Sequence, residues 1–153
     1  MSPENLKYFM DHYFIVVFPF FFVGSWFLVA AAVSSVGGWY ALSNRYRTRI
    51  AFDGAKWKMQ SGQMRRFMSY NKVLTLGANG EGLYLACMFL FRFMHPPLFV
   101  PWREIKVRRS KGLFFEYVTF IMDAELAIPL KVRAGLAGLM RNEAGAGWPV
   151  EEI

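Results

Sequence analysis

The chain is poor in the residues on which most catalysis depends. Its 153 residues include one cysteine, Cys87, and two histidines, His12 and His95. A lone thiol forms neither an intramolecular disulfide nor a cysteine metal cluster. Inside the apolar run LYLACMFLF it reads as a small core residue suited to a reducing compartment. No glycine-rich phosphate loop is present, neither histidine has a visible nucleophile or carboxylate partner, and Asp123 and Glu125 stand near no histidine. These absences point away from an enzyme, and no metal or cofactor is expected. Paired-cysteine zinc modules and aromatic RNA-binding signatures are missing too, so nucleic acid is not an expected partner despite the basic balance.

Charge is itself absent from Tyr13 to Val36, 24 residues reading YFIVVFPFFFVGSWFLVAAAVSSV. A helix of that length rises about 36 Å, enough to cross a hydrocarbon core of about 30 Å. Residues 13–36 are therefore predicted to be a transmembrane helix behind a short polar leader, residues 1–12. A cleavable signal is the competing reading, since Ala30 to Ala32 and Ser34-Ser35 resemble a cleavage site. Against it, the leader is acidic and the apolar run is too long. Pro19 is tolerated near one end of a span. Ala30 with Ser34, and Ala31 with Ser35, have the small-xxx-small spacing that lets membrane helices approach closely.

What the chain has in plenty is positive charge and phenylalanine. Its 18 Lys and Arg against 11 Asp and Glu give a net charge of +7, and 16 residues are Phe. All the basic residues but Lys7 follow the apolar run. Gly37-Gly38 is followed by Trp39 and Tyr40, amphipathic rings that mark the exit of a span at headgroup level. Trp39, Leu42 and Tyr46 then share a helical face in a juxtamembrane segment, residues 37–55, loaded with Arg45, Arg47 and Arg49. That arginine excess predicts a single-pass protein of the inner or plasma membrane with its domain in the cytoplasm.

From Lys56 onward, helical spacing gives way to short strands and glycine-bearing turns. Trp57, Met59 and Met64 lie in a segment broken at Ser61-Gly62, read as a hairpin or bulged strand. Leu74-Thr75-Leu76 and Leu83-Tyr84-Leu85 flank Gly-Ala-Asn-Gly-Glu-Gly, a hairpin signal. Leu83 to Trp102 is almost continuously apolar, but Arg92, His95 and Pro96-Pro97 exclude a second span, and two strands joined by a proline turn are predicted. Phe114 to Met122 reads as a strand. Leu126, Ile128, Leu130 and Val132 alternate in another, which Pro129 places at an edge. Leu136, Leu139 and Met140 predict one closing helix before a glycine-rich tail, residues 145–153. The fold class expected is α+β, mainly β. Residues 56–144 would form an antiparallel barrel or sandwich of about six or seven strands with one C-terminal helix.

The motifs LTLGANGEGLYL, HPPLFVPWREI and AIPLKV before a short helix resemble bacterial pleckstrin-homology-like and GRAM-like modules. From Tyr13 to Met140 the chain is similar to small bacterial membrane proteins with an N-terminal span, a GGW exit and an HPPL-PW-EI core. That resemblance implies a barrel plugged at one end by its C-terminal helix. It also implies a headgroup site at the basic first hairpin, Lys56, Lys58, Arg65 and Arg66.

Read from the residues, Arg45 to Lys72 holds eight basic residues against Asp53 alone, and several such charges near an anionic leaflet contribute about 1 kcal/mol each. A second basic group is Arg103, Lys106, Arg108, Arg109 and Lys111. Consecutive aromatics around Arg92 cannot all face a core, so Phe91 and Phe93 are expected to be partly exposed by strand alternation. With Trp39 and Tyr40 they would meet the bilayer interface or a partner. The expected function is a membrane-anchored module presenting a basic and aromatic surface to anionic headgroups. The alternative is an accessory subunit that uses the aromatic patch on a membrane protein or a second copy of itself.

Overall fold

The computed structural model describes residues 2–152. Helix α1 runs Pro3–Gly37, 35 residues, so the leader expected to precede a shorter span belongs to the helix. Its start follows from local chemistry. The Ser2 side chain accepts from the Asn5 amide, and Pro3, which has no N–H to lose, occupies the first turn. The helix is about 52 Å long. It is long and apolar enough to cross a membrane, and its position near the N-terminus is one a signal sequence would share.

Gly38 ends α1 at φ +89 and at once begins helix α2, Trp39–Tyr46. Only glycine suits this joint, because a side chain there would be strained by φ and would press on Ile128 and Arg65 at about 3 Å.

Eight strands follow: β1 Ala55–Met64, β2 Met68–Ala78, β3 Gly82–Cys87, β4 Leu98–Pro101, β5 Ile105–Lys111, β6 Glu116–Met122, β7 Ile128–Arg133 and β8 Glu151–Glu152, with helix α3, Ala134–Ala144, between the last two. They form one sheet in the order β4-β3-β2-β1-β7-β6-β5-β8. Strands β1–β4 and β5–β7 are two antiparallel meanders joined by the pairing of β1 with β7, while β8 adds to β5 in parallel. The sheet is thus mixed and eight-stranded, where an antiparallel set of six or seven was expected.

β1 is the bulged strand that Ser61-Gly62 announced. Its register against β2 shifts twice between Trp57 and Gly62, and Met59 and Lys72 adopt left-handed φ of 54 and 55. Bulges bend a ladder. The bend curls the sheet enough for α3 to touch β2 as well as β6 and β7. The core inside the curl is aliphatic and aromatic, from Leu74, Leu85, Leu98, Phe120 and Leu130 to Met140 of α3.

Four local expectations change. Strand β3 stops at Cys87 and gives way to a 3-10 turn at Phe89–Phe91, so Leu90 to Phe93 do not alternate as a strand. β6 begins at Glu116, leaving Phe114 and Phe115 in the β5–β6 turn. β7 is internal, between β1 and β6. Pro129 is tolerated there because it lies past the paired end of β1, where its carbonyl takes the Arg65 amide and its missing N–H has no strand to serve. The tail is part of the fold: Trp148 packs on Trp102 and Phe120, with ring centroids 5.2 and 5.7 Å apart, and carries the chain into β8.

Candidate functional site

The surface with the most unusual chemistry is the loop between β3 and β4, residues 88–97, together with the helix beside it. The loop is closely tied. Met88 donates its amide to Val73 at 2.8 Å, and the Phe91 and Met94 amides close the short turn. Ser34 of α1 donates to the Met94 carbonyl at 2.7 Å, and the Trp39 indole donates to the Pro96 carbonyl at 2.9 Å. His95 is buried, with Nδ1 3.2 Å from the Phe91 carbonyl and Nε2 3.2 Å from the Tyr70 hydroxyl. Both contacts are satisfied when a neutral ring donates from Nδ1 and accepts the Tyr70 proton at Nε2. Burial lowers the His95 pKa and raises that of Tyr70, which keeps both groups neutral.

So held, the loop presents Met88, Phe89, Leu90 and Phe93 outward. Phe91, half-buried, packs its ring 5.2 Å from Trp26, and Phe93 packs 4.9 Å from Phe27. On the same side of α1, Ala30, Ser34 and Gly37 are covered by the domain. The small-residue stripe therefore accommodates the domain rather than a second helix. A cleft of about 280 Å³ remains between helix and sheet, lined by Trp26, Val29, Val33, Val73, Phe91 and His95 among others. Trp26 precedes Gly37 by 11 residues, about 16 Å along the axis. The domain thus grips the last third of α1, and the aromatic loop sits at a level where the helix is still apolar.

Trp39 is the clearest correction. It is completely buried and its N–H is consumed by Pro96, so it is a core residue and not a ring at the interface. Tyr40 is exposed on the other face of α2.

The basic residues expected to share one surface are distributed over three places. Arg45 pairs with Asp123 at 2.9 Å and with Glu125, so its charge is neutralised. Arg47 and Arg49 are exposed after α2. Lys56 is exposed over the Phe52 and Tyr84 rings, and Lys58 follows it on β1. Arg65 and Arg66 lie at the far end of β1, where Arg65 donates to the Val36 carbonyl at 3.0 Å. The first hairpin therefore does not gather Lys56, Lys58, Arg65 and Arg66 into one pocket.

Sequence reading missed the partner of Arg45. Asp123, buried at φ 67, accepts from Arg45, from the Tyr46 hydroxyl at 2.6 Å and from the Glu125 and Leu126 amides. The Tyr46 and backbone donors hold its carboxyl well below the usual range. The signal was the turn sequence Asp-Ala-Glu, in which an aspartate bonds to amides two and three residues on. The second basic group is also partly spent: Lys106 and Arg108 face Glu152, and Arg109 reaches Glu151 and Glu116.

Comparisons with protein families, with curated proteins and with solved structures return no match.

Proposed function

We propose that the protein is a non-catalytic, membrane-anchored module of pleckstrin-homology-like build that holds an aromatic and basic surface against lipid headgroups. The observation that carries this reading is the packing of Trp26 and Phe27 of α1 on Phe91 and Phe93 of the domain. With α1 as a single span, a hydrocarbon core of about 30 Å takes about 20 residues of the helix. A slab entered at Tyr13 ends near Ala32, and the aromatic loop, packed on Trp26 and Phe27 and bonded to Ser34, straddles that boundary. Phe89, Leu90 and Phe93 then lie in the interface, where aromatic side chains are favoured, and Arg92 among them extends to the headgroups. Seven antiparallel strands, curled and followed by helix α3, support the pleckstrin-homology-like assignment. Exposed Arg47, Arg49 and Lys58 beyond the joint support a cytoplasmic domain.

The test uses the full chain in liposomes with a polarity-sensitive dye on a Phe93→Cys variant. Cys87 does not compete, because it is buried and its thiol is pushed up to about 12. Blue-shifted emission, quenched by lipids bearing a shallow quencher, is expected. Water-like emission would overturn the reading, and protection that appears only with a second protein in the bilayer would favour the accessory-subunit alternative.

A further inference from the structure

The turn joining β5 to β6 carries three apolar side chains where turn chemistry favours polar ones. Leu113 is 90% exposed, Phe114 83% and Phe115 50%. The hairpin beneath them is regular, with paired residues from Ile105↔Met122 to Lys111↔Glu116, and the Gly112 amide donates to the Phe115 carbonyl at 2.8 Å. A Cβ on Gly112 would stand 2.7 Å from the Tyr117 ring, so the tight turn requires glycine. The tip is a built projection rather than a loose loop.

Charge is sorted along this hairpin. At its base, Lys106, Arg108 and Arg109 are matched by Glu151 and Glu152 of β8. Near the tip stand Lys111, Lys131 and Arg133, none of which forms an ion pair among the described residues. Glu116, the acid closest to them in register, is 3.8 Å from Arg109. Lys131 lies over the Tyr117 ring at 4.6 Å and Arg133 over the Phe115 ring at 4.3 Å. Apolar side chains ringed by unmatched cations are the pattern of an element that enters an anionic interface, each part satisfying one layer of it. The hairpin also adjoins the anchor. Ser69 and Asn71 line both the cleft beside Trp26 and a groove that continues over Gln63 to Tyr117, Lys131 and Arg133 at the hairpin's stem.

We propose that the β5–β6 tip, Leu113, Phe114 and Phe115 with Lys111, Lys131 and Arg133, is a second point of insertion into an anionic lipid surface. It rests on the reading of α1 as a membrane anchor. The tip would act with α1 and the 88–97 loop to hold the domain down at two separated places. The apolar residues supply depth and the cations select the lipid.

The experiment labels Leu113→Cys or Phe114→Cys with a polarity-sensitive dye in the full-length protein. The protein is reconstituted in vesicles of phosphatidylcholine alone or mixed with phosphatidylglycerol. Both reporters should shift to the blue and be quenched by lipid-borne quenchers in the anionic vesicles, and Lys111→Glu with Arg133→Glu should return them to water-like emission. A label at exposed Val150, beside the opposite end of β5, should stay water-like throughout. Water-like emission at both 113 and 114 in both lipids overturns the proposal. If Phe93→Cys still reports lipid, only this inference falls; if it does not, the anchored reading falls with it. The charge-reversed chain must retain its near-ultraviolet circular dichroism. Should it not, Leu113→Ser with Phe114→Ser, scored by weaker quenching at a Phe115→Cys label, decides the question in its place.

Discussion

The two ends of α2 fasten two different loops by opposite means. At its first turn, Trp39 holds Pro96 while Tyr70, His95 and Ser34 complete a set of uncharged hydrogen bonds around the aromatic loop. At its last turn, Arg45 and Tyr46 hold the β6–β7 turn through the carboxylate of Asp123. Ionised groups are expensive to keep away from water, and the uncharged fastening is the one that lies beside the apolar helix. The charged fastening lies where Arg45 remains partly solvated. A helix of eight residues thus meets an apolar surrounding at one end and water at the other, and its polar chemistry is divided accordingly.

Substitutions test that division, beginning with the largest effect. Trp39→Ala removes a completely buried indole and the bond to Pro96, and a loss of about 4 kcal/mol is expected in denaturant melts of the full chain in micelles. Asp123→Ala strands the Tyr46 hydroxyl and two turn amides and should lose about 3 kcal/mol. Because the Asp123 carboxyl is held below its ordinary value, its contribution is complete above about pH 4 and is lost as pH falls further. Melts of the wild type at strongly acid pH should fall toward those of the Asp123→Ala chain.

His95 behaves differently. Its lowered pKa means that the unfolded chain takes up the proton first, so stability falls as pH drops below about 6.5. A His95→Gln chain should lack that mildly acid decline while keeping the strongly acid one, which separates the two fastenings in a single titration. The smallest effect is expected at Phe93, 71% exposed, where Phe93→Ser should shift stability by less than about 1 kcal/mol. Phe91→Ser, packed against the core, should cost about 2 kcal/mol. Equal losses at the two positions would mean that the loop is uniformly core.

Periodicity and turn chemistry revealed the long apolar helix, the β2–β3 hairpin around Asn79, the β7 alternation and α3, because each is written in neighbouring residues. What they did not reveal depends on partners distant in sequence. Trp39 after an apolar run has the composition of an interfacial ring, and only the arrival of Pro96, 57 residues on, makes it core. Phe114 and Phe115 have strand propensity, yet the pairing of Lys111 with Glu116 leaves them in a turn. The basic residues of β1 were countable, but Lys56 and Arg65 stand at opposite ends of a single ten-residue strand, and that the break at Ser61-Gly62 is a bulge and not a turn depends on backbone conformations at Met59 and Lys72 that no composition signals. The acids of β8 neutralise β5 only because Trp148 finds Trp102.

The joint between anchor and domain is a single residue. Gly38 closes one helix and opens the next, Arg65 and Tyr70 pack against the end of α1, and Ser34 is bonded to the loop across it. These contacts oppose a swivel of the domain about Gly38. A bilayer whose thickness differs from the apolar length of the helix is met by tilting the helix. On the anchored reading proposed above, the same tilt passes through this joint to the sheet, lifting one rim of the domain from the headgroups and pressing the other down. On that reading the protein is a lever, and its posture on the membrane follows bilayer thickness.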